Sequence, residues 1–300
     1  GVHRVEADSL NNLGTVSNLQ GDPAGARDYK EQALRIYRQI GDRQGEGLVL
    51  VHLGLISLQK GNYAESRAYY EQALSMCREI GNRRGEGLVL GNLGEVLAHL
   101  GDYAEAKAYY EQALRIRREV DDREGEGLVL GELGLVFLYL GDHTSAKNCI
   151  EQALRICREI GDRGGESYRL CDLGLLFHHL GDDEAARENS EQALSIARDL
   201  GDRRFQGQAL TNLGHALAGL GRMNEAAEAY RQALALRREL DQSHLAMETL
   251  AGLARISLAQ GDLAQARAHV EEILNYVEDN TLHGTQEPLR VHLTCYRVLQ

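Results

Sequence analysis

The residues able to do chemistry are few, and their spacing mostly argues against it. His178 and His179 with Asp182 are a trio of metal-ligating types. Adjacent residues on a helix point about 100° apart, so the two imidazoles do not converge on one ion; no metal site is expected, and both histidines are read as groove or surface residues. Paired glycines recur in GEG stretches at 45–47, 85–87 and 125–127, the composition of a phosphate loop. No strand precedes them, no Gly-Lys-Ser/Thr follows, and they come back in register, so they belong to the framework. Tyr69-Tyr70 and Tyr109-Tyr110 are expected to pack and not to hold a cofactor. The five cysteines (77, 149, 157, 171, 295) have no CxxC spacing and are expected to be reduced thiols of a cytoplasmic protein. No Ser/His/Asp or Cys/His set with an orienting group is present, and acidic pairs occur only on charged helical faces. The chain is expected to be no enzyme and to need no cofactor.

Bulk properties narrow the partners. The formal charge is −12; phosphate backbones and anionic bilayers call for clustered Lys and Arg, so neither nucleic acid nor a membrane surface is expected as a partner. No apolar run reaches the ~18–20 residues of a membrane span. There is no Trp and there are only two prolines, Pro23 and Pro288; so few helix breakers in a chain rich in Ala, Leu, Glu and Arg predict an all-α fold.

The elements that must position these residues repeat every forty. Leu-Gly falls at 13–14, 53–54, 93–94, 133–134, 173–174 and 213–214, and Gln-Ala-Leu at 32–34, 72–74, 112–114, 152–154, 192–194 and 232–234. The repeats are 1–40, 41–80, 81–120, 121–160, 161–200, 201–240 and 241–280, with a half-repeat at 281–300, read together as one array. Leu90, Leu93, Gly94, Leu97 and Leu100 make one apolar stripe on a helix predicted over 84–100. Gly101 supplies the left-handed stop. Asp102 caps the next helix, and Glu105 completes a capping box that Asn62/Glu65 and Asp262/Gln265 repeat. The Asp of "GDR" at 41–43, 161–163 and 201–203 caps helices in the same way. Gly94 and Ala106 are expected to face each other across the helix pair. One pair cannot bury its own apolar face, so neighbours must stack into a continuous core.

Leu93, Gly94, Gly101, Ala106, Tyr110 and Ala113 together resemble the tetratricopeptide repeat (TPR) signature, and the match runs along essentially the whole chain. Two departures stand out: Leu90 occupies a place where the family often has Trp, and Arg118 one where it has a closing Pro. Without that Pro the second helix runs on, which accounts for a period of forty. The forty-residue form is similar to Pins/LGN-type adaptors and to sensor arms of bacterial signalling ATPases and transcription regulators. The resemblance implies a right-handed superhelix of antiparallel helix pairs, an α-solenoid.

It also implies that the first helix of each repeat lines a concave groove. Carried onto this chain, the groove residues are Asn11, Asn12, Thr15 and Asn18; then Val51, His52 and Leu55; Asn92, Glu95 and His99; and Glu132, Leu135 and Tyr139. Further along come Tyr168, Asp172, Leu175, His178 and His179, then Gln208, Asn212, His215, Glu248 and Arg255. Acids (Glu95, Glu132, Asp172, Glu248) outnumber the one base, Arg255. The Lys/Arg clamp with which some TPR domains hold a C-terminal carboxylate is missing. The expected partner is a protein or peptide segment with basic and apolar side chains, bound by the recognition arm of a larger cytoplasmic signalling protein. Two other readings stand beside it: a small-molecule sensor with a pocket near Leu135, Tyr139, Leu175 and His179, and an architectural spacer that self-associates through its ends.

The ends carry their own signals. The first helix is more polar than its successor, as an exposed terminal face should be. The chain opens without Met and in phase with the repeat, and Leu289, Val291, Leu293 and Val298 near the end need cover. Both ends are expected to be cuts from a longer protein.

Overall fold

The computed structural model describes residues 2–279, 282, 285 and 288–300. Among them run fifteen α-helices: α1 (Val2–Leu19), α2 (Pro23–Ile40), α3 (Arg43–Gln59), α4 (Tyr63–Glu79), α5 (Arg83–His99), α6 (Tyr103–Glu119), α7 (Arg123–Tyr139), α8 (His143–Ile160), α9 (Arg163–His179), α10 (Asp183–Asp199), α11 (Arg203–Gly219), α12 (Met223–Glu239), α13 (Ser243–Ala259), α14 (Leu263–Asp279) and α15 (Pro288–Leu299). The helix predicted over 84–100 is α5. The chain divides into two compact bodies, an N-terminal one (Gly1–Val136) and a C-terminal one (Phe137–Gln300).

The helix ends follow local chemistry. Gly101 has φ +80°, the left-handed stop expected of it. Asp121 and Asp241 take the same conformation, at φ 52° and 53°, where other repeats have glycine. Asp42 and Asp162 cap α3 and α9 by accepting from the Gly45 and Gly165 amides at 3.0 and 2.8 Å, and Asp202 caps α11 through the Phe205 amide at 3.1 Å. The expected capping boxes form only halfway. Asp102 accepts from the Glu105 amide at 3.2 Å and Asp262 from the Gln265 amide at 3.0 Å, whereas Asn62 makes no side-chain cap bond. The glutamates do not reach back; Glu65 and Glu105 take arginines of the preceding repeat, Arg27 at 2.6 Å and Arg67 at 3.1 Å. A full ionic partner outcompetes a neutral amide for a carboxylate.

The glutamate of the GEG loops has a structural role. Glu46 is buried and bridges Arg38 (2.8 Å) and Arg43 (3.0 Å). Glu86 does the same for Arg78 and Arg83, Glu126 for Arg118 and Arg123, and Glu166 for Arg158 and Arg163. Each carboxylate thus ties the last turn of one repeat's second helix to the first turn of the next repeat. Burial works to raise the pKa of Glu46, Glu86 and Glu126, but two guanidiniums apiece hold all three below the usual range.

The small residues act differently from expectation at one point. A Cβ on Gly94 would meet the Tyr110 ring at 2.9 Å, not Ala106. Helical side chains lean toward the N-terminus, so Tyr110, one turn beyond Ala106, is the one that covers the glycine. Gly54 with Tyr70 (2.5 Å) and Gly214 with Tyr230 (2.6 Å) repeat the fit, and Tyr70, Tyr110 and Tyr230 are buried. Tyr69 and Tyr109 are half-buried. No disulfide joins the described cysteines.

Candidate functional site

The positions that the resemblance assigns to the groove meet different outcomes in the two bodies. In the N-terminal body α3 and α5 make at most a marginal approach to each other, and the predicted residues stay open. Asn12 and Leu55 are exposed; His52, Asn92, Glu95, His99 and Glu132 are half-exposed; Leu135 is buried. Glu95 is the most perturbed of them. Some 47 % of its side-chain surface meets solvent, yet the recessed position raises its pKa to about 7, burial first and the Glu132 carboxylate second. His99 lies 4.0 Å from it and stacks on Tyr63, ring centroids 5.5 Å apart. A carboxyl whose ionisation is resisted by burial and by a second carboxylate, with exposed Leu55 on the neighbouring inner helix, makes a face that gains by taking up a cation.

At the front of this face sits a base that sequence reading missed. Lys30, 2 % exposed, donates to the Asn11 carbonyl (3.1 Å), Asn11 Oδ1 (2.9 Å) and Thr15 Oγ1 (2.9 Å), and meets His52 Nδ1 at 3.0 Å. Burial lowers its pKa to about 8. His52 falls to about 4, through burial and then the Lys30 charge. The signal was present: Lys30 stands in the column that holds Tyr70, Tyr110 and Tyr230.

In the C-terminal body the same positions are internal. α9 packs directly on α11, α11 on α13, and α13 on α15. Asp172 (0 %), Leu175 (1 %), Asn212 (2 %), His215 (1 %) and Glu248 (4 %) are closed to solvent, and so line no open groove. Polar side chains bridge the inner helices. Asn212 of α11 donates to the Cys171 carbonyl of α9 at 2.8 Å, and Thr211 of α11 and Thr249 of α13 meet at 3.4 Å, while Gln208 accepts from Arg237 of the second helix α12 at 2.9 Å. The Tyr230 hydroxyl lies 2.6 Å from His215 Nδ1, with Glu248 3.7 Å from Nε2. Two of the four expected groove acids are therefore used up inside: Asp172 pairs with buried Arg169 at 3.1 Å, and Glu248 faces His215. Arg169 and Arg237 were also missed, although Arg169 breaks a column of Val49, Val89 and Val129, and Arg237 repeats Arg117 in a column otherwise held by Tyr37, Cys77, Cys157 and Ala197.

Arg255, half-buried, reaches Thr294 of α15 at 3.3 Å. His178 donates from Nδ1 to Asp183 (2.6 Å) and accepts at Nε2 from Arg290 of α15 (2.9 Å), so both nitrogens are occupied. His179 is exposed, its ring 6.4 Å away and nearly perpendicular; Asp182 caps α10 through the Ala185 amide. Among the described residues no cluster of metal-ligating side chains forms. Tyr139, half-buried, belongs to the C-terminal body.

Comparison with known proteins adds the family. Models of the tetratricopeptide repeat match residues 7–40, 45–119 and 126–199, and a model of the MalT-like TPR region matches 173–299. The chain is a tetratricopeptide repeat protein. Curated protein sequences give no match. Among solved structures this TPR chain is similar to apo RapI (14% identity, TM-score 0.77, covering 91% of this chain and 98% of that one). It is also similar to a Rap protein complexed with competence and sporulation factor (17%, TM-score 0.73, 91% and 75%). A third is a signal transduction ATPase with numerous domains, bearing a TPR sensor, from Pyrococcus horikoshii (16%, TM-score 0.66). That match covers 97% of this chain and 47% of the ATPase. At these identities the likeness is one of fold. No helix among the described residues is long and apolar enough to cross a membrane.

Proposed function

We propose that this TPR protein is a non-catalytic recognition arm of a larger cytoplasmic signalling protein, and that the inner face of its N-terminal body binds a protein segment carrying basic and apolar side chains. The observation that carries the reading is the recessed Glu95 carboxyl beside Glu132, raised to about pKa 7 by burial first and by the Glu132 charge second. A lysine or arginine placed beside them offsets the Glu132 charge and favours ionised Glu95, while Leu55 offers apolar contact. The binding of a factor by one Rap protein and the sensor role of the TPR region in the ATPase, as their descriptions state, agree with such a role.

The test is a peptide array of graded charge and hydropathy probed with the native chain and with Glu95→Gln/Glu132→Gln. The native chain should select basic, leucine-containing peptides, with affinity rising as pH goes from 6 to 8 and Glu95 ionises. The double variant should bind them about tenfold more weakly, the loss of roughly 1.4 kcal/mol. Selection of acidic peptides, or equal binding by the variant, overturns the proposal.

A further inference from the structure

The outer side of the C-terminal body carries a cavity that the inner-face reading does not use. It measures about 540 Å³ and lies between α10 and α12 over a floor of Leu194, Leu210, Leu213 and Leu217 from α10 and α11. Its origin is legible by comparing seams between successive second helices. In the N-terminal body Arg27 of α2 pairs with Glu65 of α4 at 2.6 Å, and the Tyr69 hydroxyl lies 3.4 Å from the same guanidinium. The ring and the ion pair together close that seam. Arg67, Glu105 and Tyr109 repeat the set one seam on.

In register with Arg27, Glu65 and Tyr69 stand Arg187, Glu225 and Ala229. The ring is gone and the ion pair has come apart. Arg187 turns to Glu184 (2.9 Å) and Glu191 (2.7 Å) of its own helix, and Glu225 is taken by Arg222 at 2.6 Å. The carboxylate that ties earlier repeats is replaced as well, by Gln206 where Glu46 stood. What remains is an apolar slot at a position where the first three repeats carry a tyrosine (Tyr29, Tyr69, Tyr109) and the next two Cys149 and Asn189, edged by Glu191, Asp199, Glu225 and Glu228 against Arg198 and Arg222.

The same body displays a matching knob. α15 exposes Leu289 (83 %), Leu293 (47 %), Tyr296 (60 %) and Leu299 (57 %) along one face, and it carries Arg290, His292 and Arg297 with no carboxylate. Its charge complements the acidic rim of the slot, and its one tyrosine matches the missing ring. We propose that α15 of a second copy of this chain docks in the α10–α12 seam, with Tyr296 entering the space left by Ala229. The two surfaces differ, so the contact is heterologous and each added copy leaves a free knob and a free slot.

Sedimentation velocity of the full chain over a wide concentration range tests this. The average mass should grow with concentration, without stopping at a dimer, and the growth should weaken in high salt. Ala229→Tyr, which restores the side chain of the equivalent repeats, and Tyr296→Ala, at an exposed position, should each hold the chain at the mass of one copy with unchanged helicity. Two exits keep the variants informative if either misfolds: Glu228→Lys should weaken association by repelling α15, and a mixture of Ala229→Tyr with Tyr296→Ala should form a one-to-one dimer and grow no further, since one supplies the only knob and the other the only slot. A native chain that stays single at every concentration, or an Ala229→Tyr variant that associates like the native chain, overturns the proposal.

Discussion

Glu132 and Asp172 occupy the same position in consecutive repeats and meet opposite fates. Glu132, in the N-terminal body, is half-exposed beside a carboxylate that its own charge disfavours. Asp172, in the C-terminal body, is wholly buried against Arg169. The difference lies in the residues around them. The N-terminal body fills the column one turn earlier with Val49, Val89 and Val129, whose side chains form no hydrogen bonds. The C-terminal body has Arg169, Ala209 and Thr249 in that column. Small and polar side chains there let the inner helices close and then satisfy each other's hydrogen bonds. One framework therefore yields an open acidic face in one body and a sealed polar interior in the other. A repeat column tells where a side chain starts, and the neighbours decide whether water reaches it.

The largest expected effect separates the two positions directly. Asp172→Ala removes the carboxylate 3.1 Å from the buried Arg169 guanidinium and should cost about 3–5 kcal/mol. Glu132→Ala, at the matching position of the other body, should stay within about 0.5 kcal/mol of the native chain. Urea denaturation of both variants checks this, and similar losses would break the contrast.

A second substitution should treat the bodies alike, because it acts on the shared framework. Gly54→Ala and Gly214→Ala each place a methyl 2.5–2.6 Å from a buried tyrosine ring carbon, so the ring must shift, at about 1–3 kcal/mol. Thermal unfolding of the two variants should show comparable destabilisation. A loss confined to one body would mean that its helix pairs are looser than the common geometry implies.

The smallest effect sharpens the account of the open face. The folded pKa of Glu95, about 7, lies above the ordinary glutamate value of 4.5, so between those values the folded chain holds more proton than the unfolded one. Stability from this group is therefore full below pH 4.5 and is lost as pH rises toward and through 7. His52, lowered to about 4, works in the opposite sense: its destabilisation is relieved as pH rises from 4 to 6.5. The difference between the native chain and Glu95→Gln isolates the glutamate. Across pH 5 to 8 that variant should lose less stability than the native chain, by a modest margin given the solvent around the carboxylate. Equal slopes would remove the electrostatic basis of the candidate face.

Much of the architecture was written locally. Helix stripes, Gly101 and its equivalents, the capping aspartates and the forty-residue period depend on contacts within a turn or two, so residue type and spacing were enough to place α5. Even the oddities were visible as breaks in a column, Lys30 among tyrosines, Arg169 after valines, Ala229 after Tyr69 and Tyr109. Their consequences were not visible. Whether Asp172 faces a ligand or Arg169, whether Glu65 caps its own helix or holds Arg27, and whether a missing ring leaves a cavity all depend on side chains from other helices competing for the same atoms. Desolvation and ion pairing act through space and fall off within a few ångströms, so those choices were made only when the helices packed.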